Sequence, residues 1–191
     1  MEVRIDEIVH SKEDTEALGI NVGDFIYFNT RTEVTKSGFI KSRHLDDKVS
    51  VAIILGVCKY LKENKIKPKY TINFLISNYE EVGHGAAYLP EKAFEILAID
   101  MASPGEGQTS TEEAVTICAK DSSGPYDYDM RKRLVEMAKE DYIDYKIDIY
   151  NHYNSDASAA VRAGNMVRHG LIGPGVDASH GYERTHKTGI L

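Results

Sequence analysis

The sequence predicts an α/β/α sandwich built around a mixed, mostly parallel sheet. From residue 43 onward, segments with a helical spacing of apolar residues alternate with short apolar runs of strand length. This alternation is typical of helices packed against a sheet. The chain has 191 residues, of which 42% are hydrophobic and 28% charged, which is the size and composition of one globular domain or slightly more.

The first 42 residues differ from this pattern and are predicted to form a small β-rich unit. Ser11 begins a short helix with a capping-box pattern, and glycines at 19 and 23 close that region. Residues 25–28, Phe-Ile-Tyr-Phe, are predicted to form a strand. The boundary of this unit is expected near residues 36–38.

The elements predicted beyond residue 43 follow one another in a regular order. Helices are expected at residues 47–64, 127–141 and 155–164. Strands are expected at residues 71–77, 95–100, 114–119, 145–150 and 166–172. Because ligands bind such sheets beyond the carboxyl ends of the strands, polar residues at those ends are the candidate site residues.

Charge and hydropathy exclude several classes of function. The net charge is −7 and no basic stripe is present, which argues against a nucleic-acid or anionic-membrane partner. No apolar run approaches the ~20 residues that cross a bilayer, and residues 1–6 lack the pattern of a signal peptide. Cys58 and Cys118 are far apart and are expected to be free thiols, so a cytoplasmic location is the expectation.

Two adjacent carboxylates, Glu80 and Glu81, follow the predicted strand 71–77 and precede Gly83. Neighbouring side chains on a strand point to opposite faces, so both can serve one site only where the strand has ended and the chain turns. One carboxylate can then bind a metal while the other transfers a proton, as metal-assisted hydrolysis requires. Most glutamate pairs are simply solvated, so this pair needs support from other residues.

That support comes from the ends of other elements. Asp46 and Asp47 precede the first long helix, Asp100 ends the strand 95–100, and His180 lies in the loop after the last strand. Taken singly, each has an ordinary explanation as a helix cap, a turn residue or a hydrogen-bonded loop histidine. Taken together, clustered carboxylates repel one another unless a cation neutralises them. Carboxylates with an imidazole and no thiolate suit zinc, cobalt or manganese.

Four motifs, in combination and order, resemble those of the glutamyl/tetrahedral aminopeptidase family of co-catalytic metallopeptidases, whose members are often labelled endoglucanase-like. The motifs are residues 45–48 (Leu-Asp-Asp-Lys), 79–86 (Tyr-Glu-Glu-Val-Gly-His-Gly-Ala), 98–100 (Ala-Ile-Asp) and 177–180 (Asp-Ala-Ser-His). The resemblance implies a zinc-peptidase-like sandwich in which residues 43–191 are the C-terminal part of a catalytic domain. It also implies that residues 1–42 are a remnant of a small β-rich dimerisation domain.

The resemblance assigns roles to the metal-ligating candidates. Asp46 would bridge two metals, Glu81 and His180 would bind one of them, and Asp100 would bind the other. The implied cofactor is a divalent metal, zinc or cobalt, with two metals in the family and one or two here. The peptide bond between such paired aspartates is often cis in the family.

The resemblance also implies an activity. Glu80 would be the general base that deprotonates a metal-activated water, and Asp47 would orient the ligands and cap the helix. The chain would then be a metallo-aminopeptidase that removes N-terminal residues from peptides, and it would form a homo-oligomer as relatives do.

The sequence departs from the family pattern at one ligand. The family carries a histidine before the inserted domain, and His10 does not match it. The chain is therefore interpreted as the C-terminal portion of a longer peptidase, with at most one well-occupied metal and weak or absent activity. A non-catalytic metal-binding or assembly fragment is the alternative, and a glycosidase ranks low because the chain lacks Trp. Ser155 and Asp156 resemble a further family motif, and a helix cap explains them equally well.

Overall fold

A computed structural model of the chain describes residues 3–191. Its helices are α1 (Lys12–Ala17), α2 (Leu45–Glu63), α3 (Tyr128–Glu140), α4 (Asp156–Arg162) and α5 (Lys187–Ile190). Its strands are β1 (Glu33–Val34), β2 (Phe39–Ser42), β3 (Glu95–Ile99), β4 (Val115–Asp121), β5 (Gly124–Pro125), β6 (Tyr145–Ile149), β7 (Arg168–Pro174) and β8 (Glu183–His186).

The main sheet is mixed, as predicted. Its strand order is β3-β7-β4-β5, and β6 pairs with β4. The β3–β7 and β4–β6 pairs are parallel, whereas β4 runs antiparallel to both β7 and β5. Successive residues of β7 face opposite sides of the sheet. The Met130 sulfur of α3 lies against Gly170, and Ala157 of α4 packs in one cluster with Leu171, so the sheet lies between helices.

The helices match the predicted segments, and α1 and α3 begin at the capping residues that the sequence indicated, whereas α2 and α4 have no side-chain capping hydrogen bond. The Asp127 side chain accepts a hydrogen bond from the backbone N–H of Met130 at the start of α3. Ser11 and Asp14 form the capping box expected for α1. In α2 the first residues are irregular: Asp46 and Asp47 have non-helical backbone angles, and the peptide bond between them is cis, as the resemblance implied.

Two predicted strands are absent from the described part of the chain. Residues 71–77 are extended but pair with no strand, and β3 pairs only with β7 among the described strands. Their apolar side chains stay exposed, at 52% for Ile72 and 56% for Ile76. Residues 25–28 are likewise unpaired and exposed. An apolar run predicts only the capacity to form a strand, because the ladder needs a partner that the run does not specify.

The strands β1, β2, β5 and β8 were not predicted, and β8 matters most for the site. β8 pairs with β2 antiparallel, and β2 pairs with β1, which gives a second, three-stranded sheet. In this register Ser42 lies opposite Glu183. The pairing therefore brings the end of the chain next to the beginning of α2, about 140 residues earlier in the sequence.

Two further findings concern the whole described chain. Neither Cys58 nor Cys118 is in a disulfide, and Cys118 is buried. Among residues 3–191, no helix combines the length and the apolar character that a membrane span requires.

Candidate metal centre

The parallel pairing of β3 and β7 explains why distant residues meet at one edge of the sheet. Asp100 directly follows β3, and the loop that follows β7 carries His180, so both lie beyond the carboxyl ends of these strands. The β2–β8 pairing adds Asp46, and a 3₁₀ turn at Glu80–Val82 adds the two glutamates. Together they line a cleft of about 1030 Å³.

The first ligand cluster consists of Asp46, Glu81 and His180. The His180 Nε2 atom lies 3.2 Å from Asp46 Oδ2 and 3.1 Å from Glu81 Oε2. One potential ligand atom of each residue lies within 4.8 Å of the others. Carboxylate oxygens and imidazole nitrogens are both zinc ligands, and catalytic zinc sites commonly use three protein ligands.

The second cluster consists of Asp46, Asp47 and Asp100, which also place one carboxylate oxygen each within 4.8 Å of one another. Asp47 is thus close enough to act as a ligand, whereas the resemblance implied only an orienting and capping role. Asp100 is buried, and its Oδ1 accepts a hydrogen bond from the Met101 N–H at 2.6 Å. Three carboxylates therefore crowd together, with Asp100 buried and Asp46 and Asp47 half-buried.

The second cluster consists of carboxylates alone, so no basic side chain within it neutralises their negative charges. Burial, followed by repulsion from neighbouring carboxylates, raises the pKa of Asp47 to about 8 and raises the pKa of Asp100 well above its usual value. Asp47 Oδ1 is buried and has no hydrogen-bond partner in the described part of the chain. Clustered oxygen ligands, one of them without a partner, fit a divalent cation.

Glu80 lies beside the first cluster and is half-buried, whereas Glu81 is exposed. Burial raises the pKa of the Glu80 carboxyl to about 7, and the negative charges of Asp156 and Glu81 contribute further. The turn that presents it is flanked by Tyr79 (φ 65°) and Gly83 (φ 82°), both in the left-handed region. Gly83 therefore makes the turn that the sequence predicted for it, and a carboxyl with a pKa near neutrality suits proton transfer.

Glu183 is a site residue that sequence reasoning missed. Its carboxylate is 1% exposed, and it accepts hydrogen bonds from the backbone N–H groups of Asp46 at 3.0 Å and His180 at 2.9 Å. Ser179 adds a hydrogen bond from its Oγ to Asp46 Oδ2 at 2.7 Å. Glu183 thus holds two candidate ligands at once. The sequence of β8, Glu-Arg-Thr-His, has no apolar alternation that would have indicated a strand, although alternate residues are buried in the structure.

Comparisons with known proteins identify relatives of the chain. The family description "M42 glutamyl aminopeptidase" matches residues 1–191. The Bacillus subtilis protein named "Putative aminopeptidase YhfE" is 55% identical over 191 residues, which is 100% of this chain and 55% of the relative. The chain therefore spans about half the length of this curated relative.

Solved structures share the fold at lower identity. The TET1 peptidase of Pyrococcus horikoshii superposes with a TM-score of 0.82 at 23% identity, covering 97% of this chain and 56% of that one. An aminopeptidase of Desulfurococcus kamchatkensis superposes with a TM-score of 0.77 at 22% identity, covering 96% and 54%. At these identities the structures show the fold, and the family follows from the match over all 191 residues. This chain belongs to the M42 glutamyl aminopeptidase family.

Proposed function

We propose that the cleft hydrolyses the N-terminal peptide bond of peptides with the help of a bound divalent cation, zinc or cobalt. The observation that supports this most directly is the cluster of Asp46, Glu81 and His180 with Glu80 at its side. Asp46, Glu81 and His180 would hold one cation. Asp47 and Asp100 would join Asp46 around a second, so that the chain binds one or two.

The chemistry that a divalent cation would supply there is polarisation of the scissile carbonyl and a lower pKa of an attacking water. The Glu80 carboxylate accepts the proton of the attacking water and passes it to the nitrogen of the leaving amine. In the cation-free site, burial raises the pKa of Glu80 to about 7. The surrounding carboxylates attract the free α-ammonium group of the substrate, which would restrict cleavage to the N-terminal residue.

Turnover of chromogenic aminoacyl substrates with added zinc or cobalt tests this function. We expect weak activity in the wild type and a loss of about 10²–10⁴-fold in Glu80→Gln, which keeps the side-chain shape but cannot accept the proton. Glu136→Gln changes an exposed glutamate of α3 and should leave activity intact. Cation binding without turnover in the wild type would instead identify a non-catalytic metal-binding fragment, and equal activity in Glu80→Gln would exclude Glu80 as the base.

We also propose a homo-oligomer in the cytoplasm. Phe25 and Tyr27 are 85% and 86% exposed, which favours contacts with another chain. A structurally similar peptidase is described as a dodecamer, and the Pyrococcus peptidase as able to form a tetrahedron or an octahedral shell. Light scattering tests the proposal, and a mass of one chain at all concentrations would refute it. The two free cysteines agree with a reducing compartment.

A further inference from the structure

The segment that carries Glu80 and Glu81 has few anchors of its own. The residues before it, 71–77, form no ladder with another described strand. The turn itself contains only one short 3₁₀ element, and Glu81 is exposed. Segments with few packed contacts open readily, so the position of these two glutamates depends on what holds the segment 77–86.

One carboxylate contacts both ends of this segment. Asp156, the first residue of α4, accepts a hydrogen bond from Ser77 Oγ with its Oδ2 atom, and its Oδ1 atom accepts one from the Ala86 N–H at 3.0 Å. These two donors lie nine residues apart, so the single side chain closes the loop between them. Hydrogen bonds to an ionised carboxylate are stronger than those between neutral groups.

The packing around Asp156 is tight and specific. A Cβ atom at Gly85 would lie 2.6 Å from Asp156 Oδ1 and 2.7 Å from Ser77 Oγ, so only glycine fits there without displacement. The helix that carries Asp156 is itself fixed: Ala157 is fully buried, and Ser155 Oγ lies 2.7 Å from the hydroxyl of buried Tyr126. Asp156 is therefore a fixed support for the segment, which is held further by the packing of Ala86 with Leu89 and Ala160 and by the contact of Glu81 with His180.

We infer that Asp156 is a positioning residue, which closes the segment 77–86 through Ser77 and Ala86 and thereby holds Glu80 and Glu81 in the cleft. The role in hydrolysis rests on the proposed function, whereas the closure of the segment does not. The contacts require a side chain at position 156 with one atom that accepts from the Ala86 N–H and a second atom that hydrogen-bonds the Ser77 hydroxyl. They do not require a negative charge. An asparagine can accept from the Ala86 N–H with its oxygen and donate to the Ser77 hydroxyl with its nitrogen.

Hydrogen–deuterium exchange of the full chain tests the closure without reference to activity. In Asp156→Ala we expect the amides of residues 79–86 to exchange about tenfold faster, because both closing contacts are lost. Ser77→Ala, which loses one contact, should give a smaller increase, and Asp156→Asn should restore slow exchange. Asp127→Ala is the matched control, because Asp127 also accepts a backbone hydrogen bond at a helix start but contacts α3 instead of this segment.

Kinetics then tests the role in positioning. Asp156→Ala should lower kcat by up to about 100-fold with a smaller change in KM, and Asp156→Asn should recover most of the lost kcat. Exchange in residues 79–86 that stays within about twofold of the wild type, or that rises equally in Asp127→Ala, would overturn the closure. Faster exchange with unchanged kcat would overturn the positioning role alone. An inactive wild type would refute the proposed function and leave the exchange result to decide the closure.

Discussion

The crowded aspartates at the start of α2 predict that the cation-free protein loses stability as the pH rises. Burial, and after it the charges of nearby carboxylates, raises the pKa of Asp47 from 3.8 to about 8. An acid with a raised pKa in the folded state keeps a proton that the unfolded chain has already released. Below about pH 4 both states are protonated and this group has no effect. Stability then falls with rising pH until about pH 8, where the folded state also releases its proton.

The size of the effect follows from the shift. One pKa unit corresponds to about 1.4 kcal/mol, so raising the pKa of Asp47 from 3.8 to about 8 would correspond to about 6 kcal/mol. Relaxation of the site reduces this figure, and we expect a loss of at least about 2 kcal/mol between pH 5 and pH 8. Glu80, whose pKa rises to about 7, adds a smaller effect of the same sign because it is partly solvated.

Urea unfolding with a chelator at pH 5, 6, 7 and 8 measures the effect. Asp47→Asn should flatten the dependence, whereas Asp141→Asn, which changes an exposed aspartate at the end of α3, should retain it. Zinc at 100 times its Kd should add about 2.7 kcal/mol and reduce the dependence, because the cation replaces the protons. A cation-free stability that stays constant or rises from pH 5 to pH 8 would refute the reasoning.

Three substitutions test the architecture of the site. Glu183→Gln leaves one of the two N–H groups that bond the buried Glu183 side chain without an acceptor, so we expect a loss of about 1–3 kcal/mol in urea unfolding. Glu136→Gln, on the surface, should change stability by less than about 0.5 kcal/mol. His180→Ala removes the only imidazole of the first cluster, so calorimetric titration should show zinc binding at least about tenfold weaker; equal affinity would exclude it as a ligand. Gly85→Ala places a Cβ 2.6 Å from a side-chain oxygen and should destabilise the fold by about 1–3 kcal/mol and lower kcat, whereas Gly105→Ala, with nothing within 4 Å, should do neither.

Local sequence patterns predicted most of the elements and the candidate ligands. The helices α2, α3 and α4 follow from apolar spacing and from caps such as Asp127, because helix formation depends on residues close in sequence. The turn at Gly83 follows from a backbone angle that favours glycine. Acidic residues at the ends of strands indicated a cation site, because parallel strands end at one edge of the sheet.

The tertiary structure alone decided how these pieces are held together. Glu183 becomes a support for Asp46 only because β8 pairs with β2. The hydrogen bond from the Asp46 N–H to the Glu183 carboxylate joins residues 137 positions apart. The extended segment 71–77 lacks a partner strand in the described part of the chain, although its composition suits one. Asp156 contacts Ser77 across 79 positions. Sequence spacing reports which conformation a residue prefers, whereas the partners of a strand or a carboxylate depend on long-range packing that no local pattern encodes.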